Sequence, residues 1–503
     1  MGQTQKEMNV GIVKTRALPD KLLFRELFDR HGAAPPVYCE LEDVPFDPVT
    51  LFERIRTRVR YPFLLDSADG PLKVARYCIL GGNPFAVFTS RGFRSEFRSS
   101  RKTETYEGNP LDRLQEVLAR YRSPRVDYLP DFYGGAVAFF GYDVKNLIES
   151  LPDTVDDDLE LPETCFLFVD TIVLLDRSDG TVKVCAVSPE ESDPDAAYEK
   201  SCFKIERLKQ MVESPRAMEG STRGKYRFGT LGSTHDAKSY AKMVERTKEY
   251  IAAGDIFQAN LSQRIHAEFL GDTLALYRSL RAINPSPFAF YFDFGTFQLV
   301  SCSPERLVKL SGRRVDTRPI AGTRPRGGDA EGDVAMTEEL LLSPKQTAEH
   351  IMIVDMSRND IGRVCEYGSV HPDELKVTEK YSHVIHIVSN VVGRIREGRG
   401  AVDLVKAVFP GASITGVPKV RCMEIIDELE TVRRGPYTGS AGWICFSDDM
   451  DLNIIIRTFV IAKEHAFVQV GGGIVADSDP KDEYLETWHK ARALVEALTA
   501  RAG

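Results

Sequence analysis

Short runs of β-branched and aromatic residues, broken by Gly, Asp and Asn, dominate the first two hundred residues. FAVFTSRG (Phe85 to Gly92), GGAVAFFGYD (Gly134 to Asp143), CFLFVDTIVLLD (Cys165 to Asp176) and TVKVCAVS (Thr181 to Ser188) each predict a strand. DRSDGT between the last two predicts a hairpin turn. A helical pattern around Asp195 to Val212 follows, and then SPRAMEGSTRGKYRFGTLGSTHD has almost no periodicity. The chain is divided there into a first region, 1–213, a linker, 214–234, and a second region, 235–503.

The second region opens with the helix HDAKSYAKMVERTKEYIAAG, closed by Gly254. The strand-like runs IFQANLSQRIHAEF, FAFYFDFGTFQLVSCS and RLVKLSGRRVDTRPI come next. After an acidic helical stretch, Gly332 to Met356, come YSHVIHIVSNVVGRI, YTGSAGWICFS, MDLNIIIRTFVIA and AFVQVGGGIVA. Strands arrive in hairpin-like groups between long helices, not in strict βαβ alternation. This predicts an α+β fold with large antiparallel β-sheets. No repeat of 20 to 50 residues is visible.

The last periodic stretch, DPKDEYLETWHKA, follows three glycines, Gly471 to Gly473. Asp479 and Pro480 form a cap and first-turn pair, and Glu483, Glu486 and Lys490 fall within about 60° of one another, opposite Tyr484, Trp488, Ala491 and Val495. From the helix alone, that polar side reads as a solvated face.

The chain has 503 residues, 43% of them hydrophobic, enough for a large core. Its 65 basic and 74 acidic residues give a net charge of −9 with no long basic run, which makes nucleic acid and anionic membranes poor partners. No apolar stretch reaches signal-peptide or bilayer length, so the expected location is the cytoplasm. Nine cysteines without a CxxC pair or close Cys/His spacing suit buried reduced thiols better than a zinc site.

Several places pair bared backbone with polar side chains. Gly322-Thr323 follows a strand, with Arg324 and Arg326 beyond; GASITGVPK (Gly411 to Lys419) reads as a loop into a helix and could offer N–H groups to an anion; GGGIV reads as a third glycine loop. Glu349 lies on a helical stretch, His386 in an alternating strand, and Arg457 in the apolar NIIIRTFVI, where a charge needs an acidic partner. Glycine turns, an exposed Glu and a core His have ordinary structural roles too. Together, though, these groups suit a small carboxylate-bearing substrate held by arginine and, through oxygen ligands, by Mg²⁺.

PIAGTRPRG, AEHIMIVDMSRNDIGRV, YSHVIHIVSNVVG, GASITGVPKVRCMEIIDELE, RRGPYTGSAGW, IIIRTFVI and GGGIVADSDPKDEYLETWHKAR, in this order, resemble the chorismate-binding enzymes, strongly over about residues 235 to 497 and more loosely in YPFLLDSA and GGAVAFFGYD. The resemblance implies antiparallel sheets packed as a sandwich with flanking helices. It implies Glu349 and Glu486 as Mg²⁺ ligands, with Glu483 acting through water, and His386 near the departing hydroxyl or the ring. Tyr437, Arg457 and Gly471, Gly472 and Gly473 would hold the enolpyruvyl carboxylate of chorismate; Gly322, Thr323, Thr415 and Lys490 would line the rest. Ammonia would come from a separate glutamine amidotransferase subunit, since no glutaminase cysteine motif is present.

Among the family's close relatives, Thr415, Asn260, Arg306 and Gly472 look more like aminodeoxychorismate synthase component I, which makes 4-amino-4-deoxychorismate for the 4-aminobenzoate and folate branch. Ala321 stands against this. The best-known aminodeoxychorismate synthases carry a nucleophilic lysine there, whereas anthranilate synthases, which give anthranilate and pyruvate, carry alanine. The expected function is therefore Mg²⁺-dependent amination of chorismate to 4-amino-4-deoxychorismate, with anthranilate synthase component I as the alternative and a non-catalytic regulatory subunit as a further one. Asp66-Ser67 and NPSPFA resemble tryptophan-sensing elements with departures, which makes Ser67, Pro287 and Phe288 candidate tryptophan-binding residues.

Overall fold

A computed structural model describes residues 17–214, 224–327, 329–380 and 384–500, and Thr323 among them by backbone alone. Its core is a pair of large antiparallel sheets, one of 13 strands and one of 12 among the described residues. Both sheets draw strands from both regions of the chain. Phe63–Asp66 pairs with Phe288–Asp293 in the larger, and Gly135–Phe140 pairs with Ser440–Cys445 in the smaller.

Strict alternation puts the sheets face to face. In Phe288–Asp293, Phe290 and Phe292 enter the core between the sheets while Ala289 and Tyr291 turn outward under helices. In Gly135–Phe140, Val137 and Phe139 face inward while Ala136, Ala138 and Phe140 face outward. The helices Pro194–Glu213, Thr273–Ile283 and Pro480–Thr499 cover the larger sheet, and Pro110–Ala119, Pro344–Gly362 and Ala401–Val408 the smaller. Their apolar stripes explain the placement: Leu494, Ala497 and Leu498 of the last helix are buried beside Ala491.

The run Cys165 to Asp176 is two strands, not one. Thr164–Val169 belongs to the smaller sheet and Thr171–Asp176 to the larger, and the inward positions change from odd to even across Asp170. Two further passages run between the sheets. Gln298–Ser303 in the larger sheet leads through Pro304 and Glu305 to Arg306–Ser311 in the smaller; Met450–Ile454 in the smaller leads through Arg457 to Thr458–Ala462 in the larger. These passages run antiparallel and touch. Ile454 N donates to Glu305 O at 3.0 Å, Cys302 N to Arg457 O at 3.2 Å, and Ser303 Oγ to Ile454 O at 2.6 Å.

All nine cysteines are free and eight are buried. Among the described residues, no helix is long and apolar enough to cross a membrane.

Candidate active site

Arg457 has a φ of +51°, in the left-handed region, as the chain turns from one sheet into the other. The acidic partner expected for it is not there: among the described residues its guanidinium makes no hydrogen bond or ion pair. Burial lowers its pKa, offset in part by Cys302 and the Glu305 carboxyl nearby. A half-buried arginine left in this way could hold an anion.

Two titratable groups surround it. His386, in the strand Val384–Arg394, is buried, and its Nδ1 lies 3.4 Å from the Gly322 carbonyl oxygen, a contact that selects the tautomer protonated there. Burial and the charge of Arg457 push its pKa down to about 4, so the imidazole is neutral at pH 7. Glu305, which the sequence did not single out, is buried on the neighbouring passage and accepts from Ser413 Oγ at 2.8 Å; burial raises its pKa to about 7.

Gly322, φ +76°, sits inside the strand Ile320–Pro325 at an irregularity in its pairing with Val384–Arg394. A Cβ on Gly322 would stand 2.3 Å from Gln346 Oε1, the end of a flexible side chain of the helix Pro344–Gly362, so it is the positive φ that favours glycine here. Glu349, three residues after Gln346 and half-buried, falls on the same side of that helix. Thr323 pairs through its backbone with His386; its side chain lies outside the described residues, as do His383 and residues 215–223 of the linker.

The three glycines of GGGIV are not a loop. Gly471, Gly472 and Gly473 lie in the strand His465–Ile474, paired with Ser262, Leu261 and Asn260. On the other edge the ladder stops at Phe459 and Val468, because the chain leaves for the smaller sheet at Arg457. Lys490 Nζ donates to Gly471 O at 2.9 Å from that open side. Since one strand residue's C=O and N–H point the same way, the Gly471 N–H and that of Gly473, two residues on, also face the open edge.

The two faces of this strand differ. A Cβ on Gly471 would stand 2.9 Å from both Tyr437 Oη and Asn260 Oδ1, whereas one on Gly472 would meet Glu483 Oε2 at 3.2 Å and Glu486 Oε1 and Lys490 Nζ at 3.8 Å. Asn260 Oδ1 is buried without a hydrogen-bond partner among the described residues. Glu483 Oε1 accepts from Ser478 Oγ at 2.6 Å, and half-exposed Glu486 pairs with Lys490 at 2.7 Å. Among the described residues, no three or more His, Cys, Asp or Glu side chains are grouped to hold a metal by themselves.

One short segment ties these parts together. From Ala412 to Thr415, Ser413 reaches Glu305, Ile414 O accepts from Arg434 at 3.1 Å, and Thr415 O accepts from Asn260 N at 2.8 Å. The buried Thr415 hydroxyl donates to Gly411 O.

A second feature lies behind the site. A cavity of about 500 Å³ between the sheets brings Ser67, Pro287 and Phe288 together with Trp443 and Asn453. Arg306, next to Glu305, stacks 5.2 Å over the Phe288 ring and binds Asp451 through two 2.9 Å hydrogen bonds. Ser67 Oγ donates to Tyr77 O at 2.7 Å.

The family described as chorismate binding enzyme matches residues 64–496. Anthranilate synthase component 1 of Acetivibrio thermocellus is 39% identical over 468 residues, 92% of this chain and 94% of that one. Aminodeoxychorismate synthase component 1 of Bacillus subtilis (strain 168) is 40% identical over 453 residues, 89% of this chain and 93% of that one. The crystal structure of anthranilate synthase component I from Streptococcus pneumoniae TIGR4 superposes with a TM-score of 0.73 at 33% identity, covering 84% of this chain and 92% of that one.

Proposed function

Because this chain belongs to the chorismate-binding enzymes, in the anthranilate and aminodeoxychorismate group, we propose that it adds ammonia to C2 of chorismate and releases anthranilate, pyruvate and water. The observation that carries this reading is the Arg457 guanidinium, without an acidic partner among the described residues, at the open edge of the Gly471–Gly473 strand. It supports a grip on the enolpyruvyl carboxylate by Arg457, the N–H groups of Gly471 and Gly473, and the Tyr437 hydroxyl. Neutral His386 accompanies the ring without adding positive charge beside Arg457. Glu305, about half protonated near pH 7, can give its proton to the departing C4 hydroxyl, which leaves as water. Loss of the C2 proton and of the enolpyruvyl group then makes the ring aromatic.

The acidic residues fit Mg²⁺. Glu486 and Glu483 offer hard oxygen ligands at Gly472, with no thiol or imidazole among them, and Mg²⁺ is commonly held by one or two carboxylates, waters and the substrate itself. Glu349 and Glu486 would be its direct ligands and Glu483 would act through water. Bound there, the metal would neutralise the ring carboxylate and the charge that develops as the hydroxyl leaves. Lys490, which holds Gly471 O and Glu486, keeps the strand and the acidic helix in register.

Relatives of both names match at nearly equal identity, so identity does not choose the product. Buried Ala321 does favour one: it offers no nucleophile to C2, which supports direct ammonia attack and anthranilate. The features at Thr415, Asn260, Arg306 and Gly472 favour 4-amino-4-deoxychorismate instead. A glutamine amidotransferase subunit would supply the ammonia, in keeping with the "component 1" in the relatives' names. The test mixes the purified chain with chorismate, Mg²⁺ and ammonium at alkaline pH. Fluorescent anthranilate with equimolar pyruvate supports the reading; 4-aminobenzoate appearing only after a lyase is added selects the other product; no turnover refutes both. The Ser67–Phe288 cavity is proposed, on the same footing, as a site for tryptophan.

A further inference from the structure

The turn after the helix Lys419–Leu429 carries two arginines with opposite fates. Arg433 faces the acidic segment of Asp153, Asp157 and Glu163, whereas Arg434 turns inward and is buried. All three guanidinium nitrogens of Arg434 donate. Nε reaches Glu430 Oε2 at 2.9 Å; Nη2 reaches Glu430 Oε1 at 2.7 Å and Asn260 O at 2.6 Å; Nη1 reaches Ile414 O at 3.1 Å and Thr438 Oγ1 at 3.2 Å. Glu430 Oε1 also accepts from Ser262 N at 2.8 Å and Ser262 Oγ at 2.7 Å. The guanidinium lies 4.7 Å from the Tyr142 ring centre and 5.5 Å from that of Tyr437.

Three backbone segments therefore meet on one side chain: the strand bearing Asn260, the segment leading to Thr415, and the Tyr437–Thr438 turn. Two of them also send a group to the pocket beside Gly471, Asn260 its Oδ1 and Tyr437 its hydroxyl. A buried ion pair kept only for stability gains little over apolar packing, because desolvating two charges offsets most of their attraction. A planar fork that reaches acceptors on three segments does something apolar packing cannot, which is to fix their spacing. A lysine could not do it, since its single nitrogen cannot reach five acceptor contacts spread over a plane.

We infer that Arg434, locked by Glu430, is a positioning residue for substrate binding: without touching the substrate, it sets the Tyr437 hydroxyl and Asn260 against the Gly471 strand. This rests on the reading that Tyr437 and that strand hold the enolpyruvyl carboxylate. The inference predicts a change in chorismate affinity more than in the chemical step.

The experiment uses the full chain with Mg²⁺ and ammonium and compares Arg434→Lys, Thr438→Val, Tyr437→Phe and the Arg434→Lys/Tyr437→Phe double variant by KM, kcat and thermal melting. Arg434→Lys is expected to raise KM for chorismate about tenfold with kcat within about threefold of the parent, and Thr438→Val to raise KM about two- to fivefold. In the Tyr437→Phe background most of the Arg434→Lys effect should vanish, because the group being positioned has lost its hydroxyl. An unchanged KM in a natively melting Arg434→Lys overturns the inference, as does a fall in kcat that only tracks lost native protein. Should Arg434→Lys fail to fold, an unchanged KM in Thr438→Val overturns it equally. An unchanged KM in Tyr437→Phe alone instead removes the pocket assignment on which the inference stands.

Discussion

The three glycines beside the acidic helix place unequal demands on a side chain, and this gives a sharp test of the pocket. An alanine Cβ at Gly471 would stand 2.4 Å from Leu261 O, the backbone of the paired strand, as well as 2.9 Å from Asn260 Oδ1 and Tyr437 Oη. Leu261 is buried in the larger sheet and has no room to retreat. At Gly472 the nearest atoms are the ends of Glu483, Glu486 and Lys490, at 3.2 Å or more, and they can swing aside. Overpacking a tight core position costs about 1–3 kcal/mol, whereas a change that only nudges flexible side chains stays within about 0.5 kcal/mol. Gly471→Ala should therefore lower Tm by a few degrees and Gly472→Ala hardly at all. The functional contrast should be larger. A hydroxyl bound to a carboxylate contributes about 1.5–3 kcal/mol, so pushing Tyr437 out of line should raise KM for chorismate about 10- to 100-fold. Gly472→Ala should leave that KM within about threefold while raising the Mg²⁺ concentration needed for half-maximal rate, because its methyl group displaces Glu483. Steady-state kinetics with chorismate and Mg²⁺ varied separately, plus a melting curve for each variant, measure all of these quantities. Equal damage to chorismate KM from both substitutions would refute the assignment of the strand's two faces.

Other outcomes follow from the same geometry. Glu486→Ala removes a half-exposed partner of Lys490, so stability should change by less than about 1 kcal/mol while Mg²⁺-dependent turnover is lost; undiminished activity would remove Glu486 from the site. Glu305 holds its proton more tightly in the folded chain, at about 7 against an ordinary 4.5, so its stabilising contribution is complete below that ordinary value and is lost as pH rises through about 7. Glu305→Gln should flatten the fall in unfolding free energy between pH 5 and pH 8, by up to about 3 kcal/mol; an unaltered slope counts against a buried, protonated Glu305. Tryptophan at a hundred times its Kd should stabilise the chain by about 2.7 kcal/mol through the cavity, and Phe288→Ala should abolish the shift; a melting curve indifferent to millimolar tryptophan would leave the cavity without that ligand.

Periodicity reported the strands well where each kept to one sheet, as in Gln258–Gly271 and Val384–Arg394. It failed where a run changes sheets. Cys165, Leu167 and Val169 point inward and so do Ile172 and Leu174, a switch of phase that leaves the sequence uniformly apolar. The strand His371–Lys380 was missed for the opposite reason: HPDELKVTEK is charged and half-exposed, and it is held in place by its ladder with Val384–Arg394. The glycine run read as a loop because glycine lacks strand propensity, and its partner strand overrides that.

The candidate site was legible one residue at a time, but its supports were not. Arg457 could be recognised as a misplaced charge, and the helix of Glu483, Glu486 and Lys490 as a polar face; both are properties of a few neighbouring residues. Glu305 looks unexceptional until Ser413, 108 positions away, is found bonded to it, and Glu430 until it meets Ser262 across 168 positions. There is a physical reason for this division. Within a paired strand of the sandwich, backbone groups are used by the ladder and inward side chains are packed by the opposite sheet, so neither can serve a ligand. Where two segments cross from sheet to sheet side by side, at Pro304–Glu305 and at Ile456–Arg457, the sheet ladders lapse, and a polar side chain can be buried without being consumed. Such a lapse is stable only if distant segments close around it, which is the work of Ser413, Glu430 and Arg434. Local sequence can announce the charge that needs a ligand, but the residues that make room for that charge are chosen by the pairing of the sheets.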